Sequence, residues 1–129
     1  MAGIEFIEHQ GKRVLLLDFT AVKDTQVALR LIEQARALVA AQPQRKDLLT
    51  VTDVKGMIYN DEINQALLVL GKHNTPWVRA SAICNPSTLG KVITRANNLS
   101  TGRSFRVFDS RAEALDWVVA QADQTPVGR

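Results

Sequence analysis

The chain reads as a single α/β domain with a five-stranded mixed sheet and four helices, in the order ββαβαβαβα. Three observations predict this fold. From residue 25 onward, short apolar or β-branched runs alternate with longer segments of helical periodicity. The first two apolar runs are separated only by Gln10-Gly11-Lys12, a hairpin-length turn. The last run, Phe105-Arg-Val-Phe108, leads directly into a helix opened by Ser110 and Glu113, which have the spacing of a capping box.

Each element has its own local reason. Residues 4–9 and 13–19 read as the hairpin strands, and Val14-Leu-Leu-Leu17 is continuous enough for a strand covered on both faces. Asp24 or Thr25 caps a helix whose Ala28, Leu31, Ile32, Ala35, Leu38 and Val39 share a face, with Pro43 just beyond its end. Leu48 to Val54 is a third strand, rich in β-branched residues. After Lys55-Gly-Met-Ile-Tyr59, a helix opens at Asn60, Asp61 and Glu62, acids suited to the positive end of the helix dipole. Ile63, Ala66, Leu67 and Leu70 form its inner stripe, Asn74 serves as a left-handed cap, and Pro76 bars continuation. Trp77 to Cys84 is the fourth strand. Asn85-Pro86 then starts a helix with Leu89, Val92, Ile93 and Ala96 facing inward, and Asn97 to Ser104 is a loop. In the last helix Ala114, Leu115, Val118 and Ala122 form the buried face. Three strand–helix–strand crossovers imply parallel pairing and right-handed connections.

Residues 1–122 are expected to form the domain and 123–129 a frayed tail. The composition, 46% hydrophobic and 22% charged, is that of a soluble globular protein. No apolar run approaches the ~18 residues that span a bilayer, and Met-Ala-Gly-Ile-Glu-Phe lacks the features of a signal peptide. The single cysteine, Cys84, excludes an intrachain disulfide and suits the cytoplasm. The net charge of +3 is unevenly spread: residues 72 to 106 hold Lys72, Arg79, Lys91, Arg95, Arg103 and Arg106 and no acid. Such a segment is either a solvated surface or a side facing an anion or an acidic partner.

From residue 48 onward the chain resembles the STAS domains, the anti-sigma-factor-antagonist (SpoIIAA-like) family, and within it a branch of uncharacterised bacterial and archaeal proteins. The resemblance is carried by Leu49-Thr-Val-Thr-Asp53, Lys72-His-Asn-Thr-Pro-Trp-Val-Arg-Ala-Ser-Ala82, Leu89-Gly-Lys91, Ser100-Thr-Gly-Arg-Ser-Phe105, Phe108-Asp109 and Glu113-Ala-Leu-Asp-Trp117. It implies a mixed sheet with helices and a role in protein–protein signalling or ligand sensing without catalysis. One departure stands out. Phosphorylation-switched antagonists carry a serine or threonine at the start of the helix after the third strand, where this chain has Tyr59-Asn60-Asp61-Glu62. A permanent charge at Asp61 or Glu62 would imitate the phosphorylated state, although first-turn acids also have a purely structural reason.

Ligands of open α/β sheets sit outside the carboxyl ends of the strands, which here gather Asp18, Phe19, Asp53 to Tyr59, Cys84 to Thr88, Asp109 and Ser110. A phospho-acceptor receiver site would need two adjacent acids after the first strand and a lysine ending the fifth, and neither is present. Asp53 reads as a turn residue and Asp109 as a helix cap. Cys84 reads as a small buried hydrophobe, and His73 as a cation complementing a helix C-terminus. Two histidines and one cysteine without ligand spacing argue against a metal site. No glycine motif for phosphate is present, so no cofactor is expected.

Two surfaces remain. Met57, Ile58, Tyr59, Asn60 and Asp61 form an apolar corner that either staples the following helix or contacts a protein partner or a second copy of the chain. Ser87, Thr88, Lys91 and Arg95 at a helix start suit a small anion or a lipid headgroup. Nucleic acid is a poor fit, because Trp77, Phe105 and Phe108 occupy core-like positions. The expectation is a non-enzymatic signalling or protein-interaction module, the alternative an anion- or headgroup-binding domain.

Overall fold

The computed structural model describes residues 2–101 and 105–122. Strands β1 (Gly3–His9) and β2 (Lys12–Asp18) pair antiparallel from Gly3 opposite Asp18 to His9 opposite Lys12. Gln10 (φ 52°) and Gly11 (φ 77°) make the turn. Two left-handed residues give a connection whose twist matches that of the strands, and glycine accepts this conformation without a Cβ clash. Lys12 belongs to the ladder, so the turn is one residue shorter than the sequence suggests.

Helix α1 (Thr25–Ala40) starts at Asp24, whose carboxylate accepts the N–H groups of Gln26 and Val27. Strand β3 (Leu48–Asp53) lies parallel to β2. Helix α2 (Asp61–Asn74) is capped by the Asn60 side chain, which accepts from the Ile63 N–H. Strand β4 (Val78–Cys84), helix α3 (Thr88–Thr101), strand β5 (Phe105–Phe108) and helix α4 (Arg111–Ala122) complete the order. The sheet runs β1-β2-β3-β4-β5, parallel after the first pair.

With every crossover stepping in one direction and of one hand, α1, α2 and α3 fall on one face, and α4 covers the other. The alternation of β2 shows the consequence. Leu15 and Leu17 join Phe19, Ile32, Val39 and Ile63 in one core, while Val14 and Leu16 join Val51, Ala82, Leu115 and Val118 in a second.

Several expectations are corrected. The fourth strand begins at Val78 rather than Trp77, because the Trp77 N–H bonds the Asn74 carbonyl and its indole donates to the Gln42 carbonyl at 2.7 Å. Asn74 is not a left-handed cap. It is helical and buried, and Thr75 (φ −50°) ends the helix. The residue with left-handed backbone is Asn85 (φ 60°), and α3 starts at Thr88 with Ser87 as its cap, accepting from the Gly90 N–H. Residues 97–101, expected as loop, continue α3. Leu89, Val92 and Ala96 do not face inward: all three are exposed, and Ile93 is half-buried. Gly102 to Ser104 and the expected tail 123–129 lie outside the described residues. Among the described residues no helix is long and apolar enough to cross a membrane.

Candidate functional site

Parallel strands end side by side, so β2, β3 and β4 deliver Asp18, Asp53 and Cys84 to one edge. Arg111, the first residue of α4, reaches back across this edge. Its Nε donates to Asp53 Oδ2 at 2.9 Å and its Nη2 to Asp18 Oδ2 at 3.0 Å. Asp53 Oδ1 accepts from the Lys55 N–H and from Asn85 Nδ2, each at 3.1 Å, and Asp18 Oδ1 accepts from the Thr20 N–H at 3.0 Å. Both carboxylates are buried, and Arg111 keeps 37% of its side chain exposed.

The electrostatics follow from these contacts. Burial opposes ionisation of Asp18, but hydrogen bonds from Thr20 and Arg111 and the guanidinium charge outweigh it, holding its carboxyl below the ordinary value. Arg111 is likewise held charged, its burial outweighed by its bonds to Asp53 and Asp18. Burial, with the Asp53 charge beside it, pushes the Cys84 thiol up to about 12. A thiol so raised stays protonated near neutrality and is no nucleophile. His73 donates from Nδ1 to Asn74 and stacks on Trp77 at 5.0 Å, and His9 pairs with Asp116 at 2.7 Å. The strand-end edge is thus closed by an ion pair that ties α4 to β2 and β3.

The residues singled out from the sequence sort differently. Met57 is buried with Phe19, Val22 and Ile63, so it acts as a staple and is withdrawn from any contact surface. Ile58 is half-buried and packs against the same core, with its N–H on the Val22 carbonyl. Tyr59 is half-buried, and Asn60 and Asp61 are exposed. A Cβ at Gly90 would lie 3.3 Å from Tyr59 Oη, so the glycine lets α3 seat on the tyrosine ring. The two surfaces, 58–61 and 87–95, therefore adjoin at Tyr59. Ser87, Thr88, Lys91 and Arg95 are all exposed, and the Ser87 hydroxyl is engaged as the cap of α3.

Sequence reasoning missed Arg111 and the outward stripe of α3. A signal for Arg111 existed: a cation in the first turn opposes the helix dipole and calls for a nearby carboxylate. The stripe consists of Leu89, Val92 and Leu99, exposed by 58%, 59% and 84%. Gly90 and Thr94 take the buried side of that helix.

These features define an α/β domain with the STAS, or SpoIIAA-like, fold. A STAS (anti-sigma-factor antagonist) domain protein from Planctomyces limnophilus superposes with a TM-score of 0.64 at 15% identity, over 92% of this chain and 99% of that one. A DUF3478-family protein with a SpoIIAA-like fold from Shewanella loihica PV-4 gives a TM-score of 0.68 at 18% identity, over 92% and 95%. No family model matches the chain, and no curated protein matches it.

Proposed function

We propose that this protein is a non-catalytic cytoplasmic regulatory module that binds an acidic, partly apolar segment of a protein partner on the outer face of α3 and the adjoining Tyr59–Asp61 corner. The observation that carries the reading is the outward apolar row of α3: Leu89, Val92 and Leu99 turn to solvent while Gly90, Ile93 and Thr94 face the sheet. Exposed apolar side chains in a row mark an interaction surface. Lys91 and Arg95 flank the row and no acid lies between residues 72 and 106, so the complementary surface is acidic. A second copy docked α3 to α3 would set these cations against each other, which argues against a homodimer through this face. The STAS-like fold agrees with a signalling role. With no serine or threonine at 59–62, we favour control by binding over a serine/threonine phosphorylation switch there.

A peptide-display selection against the folded protein tests this. The expected winners carry leucine or phenylalanine among acids, shift the backbone amides of residues 87–99 on titration, and weaken as salt rises. Leu89→Ser with Val92→Ser reduces their affinity at least tenfold. Winners that map to other faces, or that bind the double variant equally, remove the assignment. The anion reading is separated by a thermal-shift series with inorganic phosphate. The Ser87 hydroxyl accepts from the Gly90 N–H and keeps its own O–H for an anion beside Thr88, Lys91 and Arg95, and stabilisation abolished by Lys91→Ala with Arg95→Ala would favour it.

A further inference from the structure

Beneath α3 lies a cavity of about 70 Å³, floored by the sheet and walled by α2, α3, Tyr59 and Phe105. Ile93, Thr94 and Asn97 of the helix face Leu17, Val54 and Ile83 of the sheet across it. We infer that this cavity is a binding site for a small neutral molecule with an apolar body and one hydrogen-bonding oxygen, a site separate from the Leu89 and Val92 row on the outside of the same helix.

The chemistry of the lining sets the ligand class. None of the lining residues is charged, so an ion would be desolvated there without a counter-charge. Most of the wall is apolar, with a few polar atoms on one side, the composition of small-molecule sites. Asn74 lines the cavity at 6% exposure. Its carboxamide oxygen is engaged by His73, while its amide nitrogen has no protein partner among the described residues. The Tyr59 hydroxyl also lines the cavity without a protein partner among the described residues, and burial pushes it up to about 12, so it is a neutral donor at physiological pH. An oxygen accepting from the Tyr59 hydroxyl engages a donor that has no protein partner among the described residues. The volume is about half that of the ~150 Å³ apolar cavity that admits benzene, which limits the guest to a few heavy atoms unless α3 moves outward.

The probes are isopropanol, cyclopentanol and xenon, read by amide shifts in the full chain. Saturable shifts confined to Tyr59, Asn74, Thr94 and their neighbours are expected for xenon and for at least one alcohol. Tyr59→Phe weakens the alcohol by about three- to tenfold and leaves xenon unchanged. Thr52→Ile, which adds methyl volume from the sheet side, abolishes both. Gly71→Ala is the milder second variant: its Cβ sits 3.6 Å from Phe105, an ordinary contact, and it weakens both probes. Shifts that do not saturate, or that persist unchanged in both filled variants, overturn the site. Neither result bears on peptide binding to Leu89 and Val92, so the two readings fail separately.

Discussion

Arg111 shows how one side chain can close a place where related architectures keep ligands. Asp18 and Asp53 were legible as strand-end carboxylates, and the turn expected of Asp53 is present in its bond to the Lys55 N–H. The partner of its other oxygen is 58 residues away, a pairing no local pattern contains. Arg111→Met would leave two carboxylates buried together without a cation. Losing one member of a buried pair costs 3–5 kcal/mol, and the partial exposure of Arg111 lowers the expectation to about 2 kcal/mol, read from urea unfolding at pH 7. The pH dependence has a definite sign. Asp18 ionises below its ordinary value of 3.8 when folded, so its contribution is complete above that value and disappears as acidification protonates the unfolded chain first. The acid limb of the stability curve should therefore shrink in Arg111→Met. Cys84 acts at the other end of the scale. Its thiol, ordinarily near 9.0, is raised to about 12 in the fold, so stability is complete below pH 9 and falls as the pH rises toward 12. Cys84→Ala should lose about 1 kcal/mol at neutral pH through packing, yet decline less steeply from pH 9, before Tyr59 adds its own loss above pH 10. In the native protein a thiol-specific reagent should label Cys84 at the rate of unfolding rather than at that of an exposed thiol.

Among the elements, α3 is the instructive case. The helical spacing of Leu89, Val92, Ile93 and Ala96 marks a stripe but not which way it faces: Ile93 turns to the sheet, and Leu89, Val92 and Ala96 are exposed. Direction is set by what the neighbours accept: Tyr59 and Pro86 crowd the helix at Gly90, where a Cβ would lie 3.2–3.3 Å from them. Its end was misread for a related reason. Asn97, Asn98 and Ser100 are weak helix formers, and in isolation they favour a loop. In the fold Asn98 takes both hydrogen-bonding positions of a distant residue, accepting from the Phe105 N–H at 3.0 Å and donating to the Phe105 carbonyl at 3.2 Å. This side chain supplies backbone partners to the start of the edge strand β5 while remaining part of α3. Asn98→Ala should cost about 1–2 kcal/mol, with the Phe105 amide accelerating in hydrogen exchange more than the amides of β3. An unchanged Phe105 rate would show that α3 is not what fixes the start of β5. By contrast, the caps of α1, α2 and α4 were legible because each is contained in four consecutive residues: Asp24, Asn60 and Ser110 each accept from an N–H two or three positions ahead.

At the scale of the molecule, topology was more legible than any surface. Strand order and layering follow from element order, the crossover rule and the alternation along β2, all of them properties of the chain itself. The identity of a partner or a guest depends on which side chains are left over, and that is known only after packing. The layering has an energetic corollary. The sheet divides the interior into two cores, with Ile63 fully buried on the α1–α2 side and Val118 fully buried on the α4 side. Side chains in different clusters share no packing partner, so a defect in one should leave the other unrelaxed. Ile63→Val is expected to cost about 1 kcal/mol and Val118→Ala about 2 kcal/mol by loss of buried methyl groups. Guanidinium unfolding of the double variant should give their sum to within about 0.5 kcal/mol. Val118→Ala combined with Leu115→Ala removes neighbours from a single cluster on α4, and there the surrounding residues can collapse into one shared space, so the sum should fail. A large coupling between Ile63 and Val118 would instead mean that the sheet transmits strain between its faces, and that a guest held beneath α3 would be felt at α4.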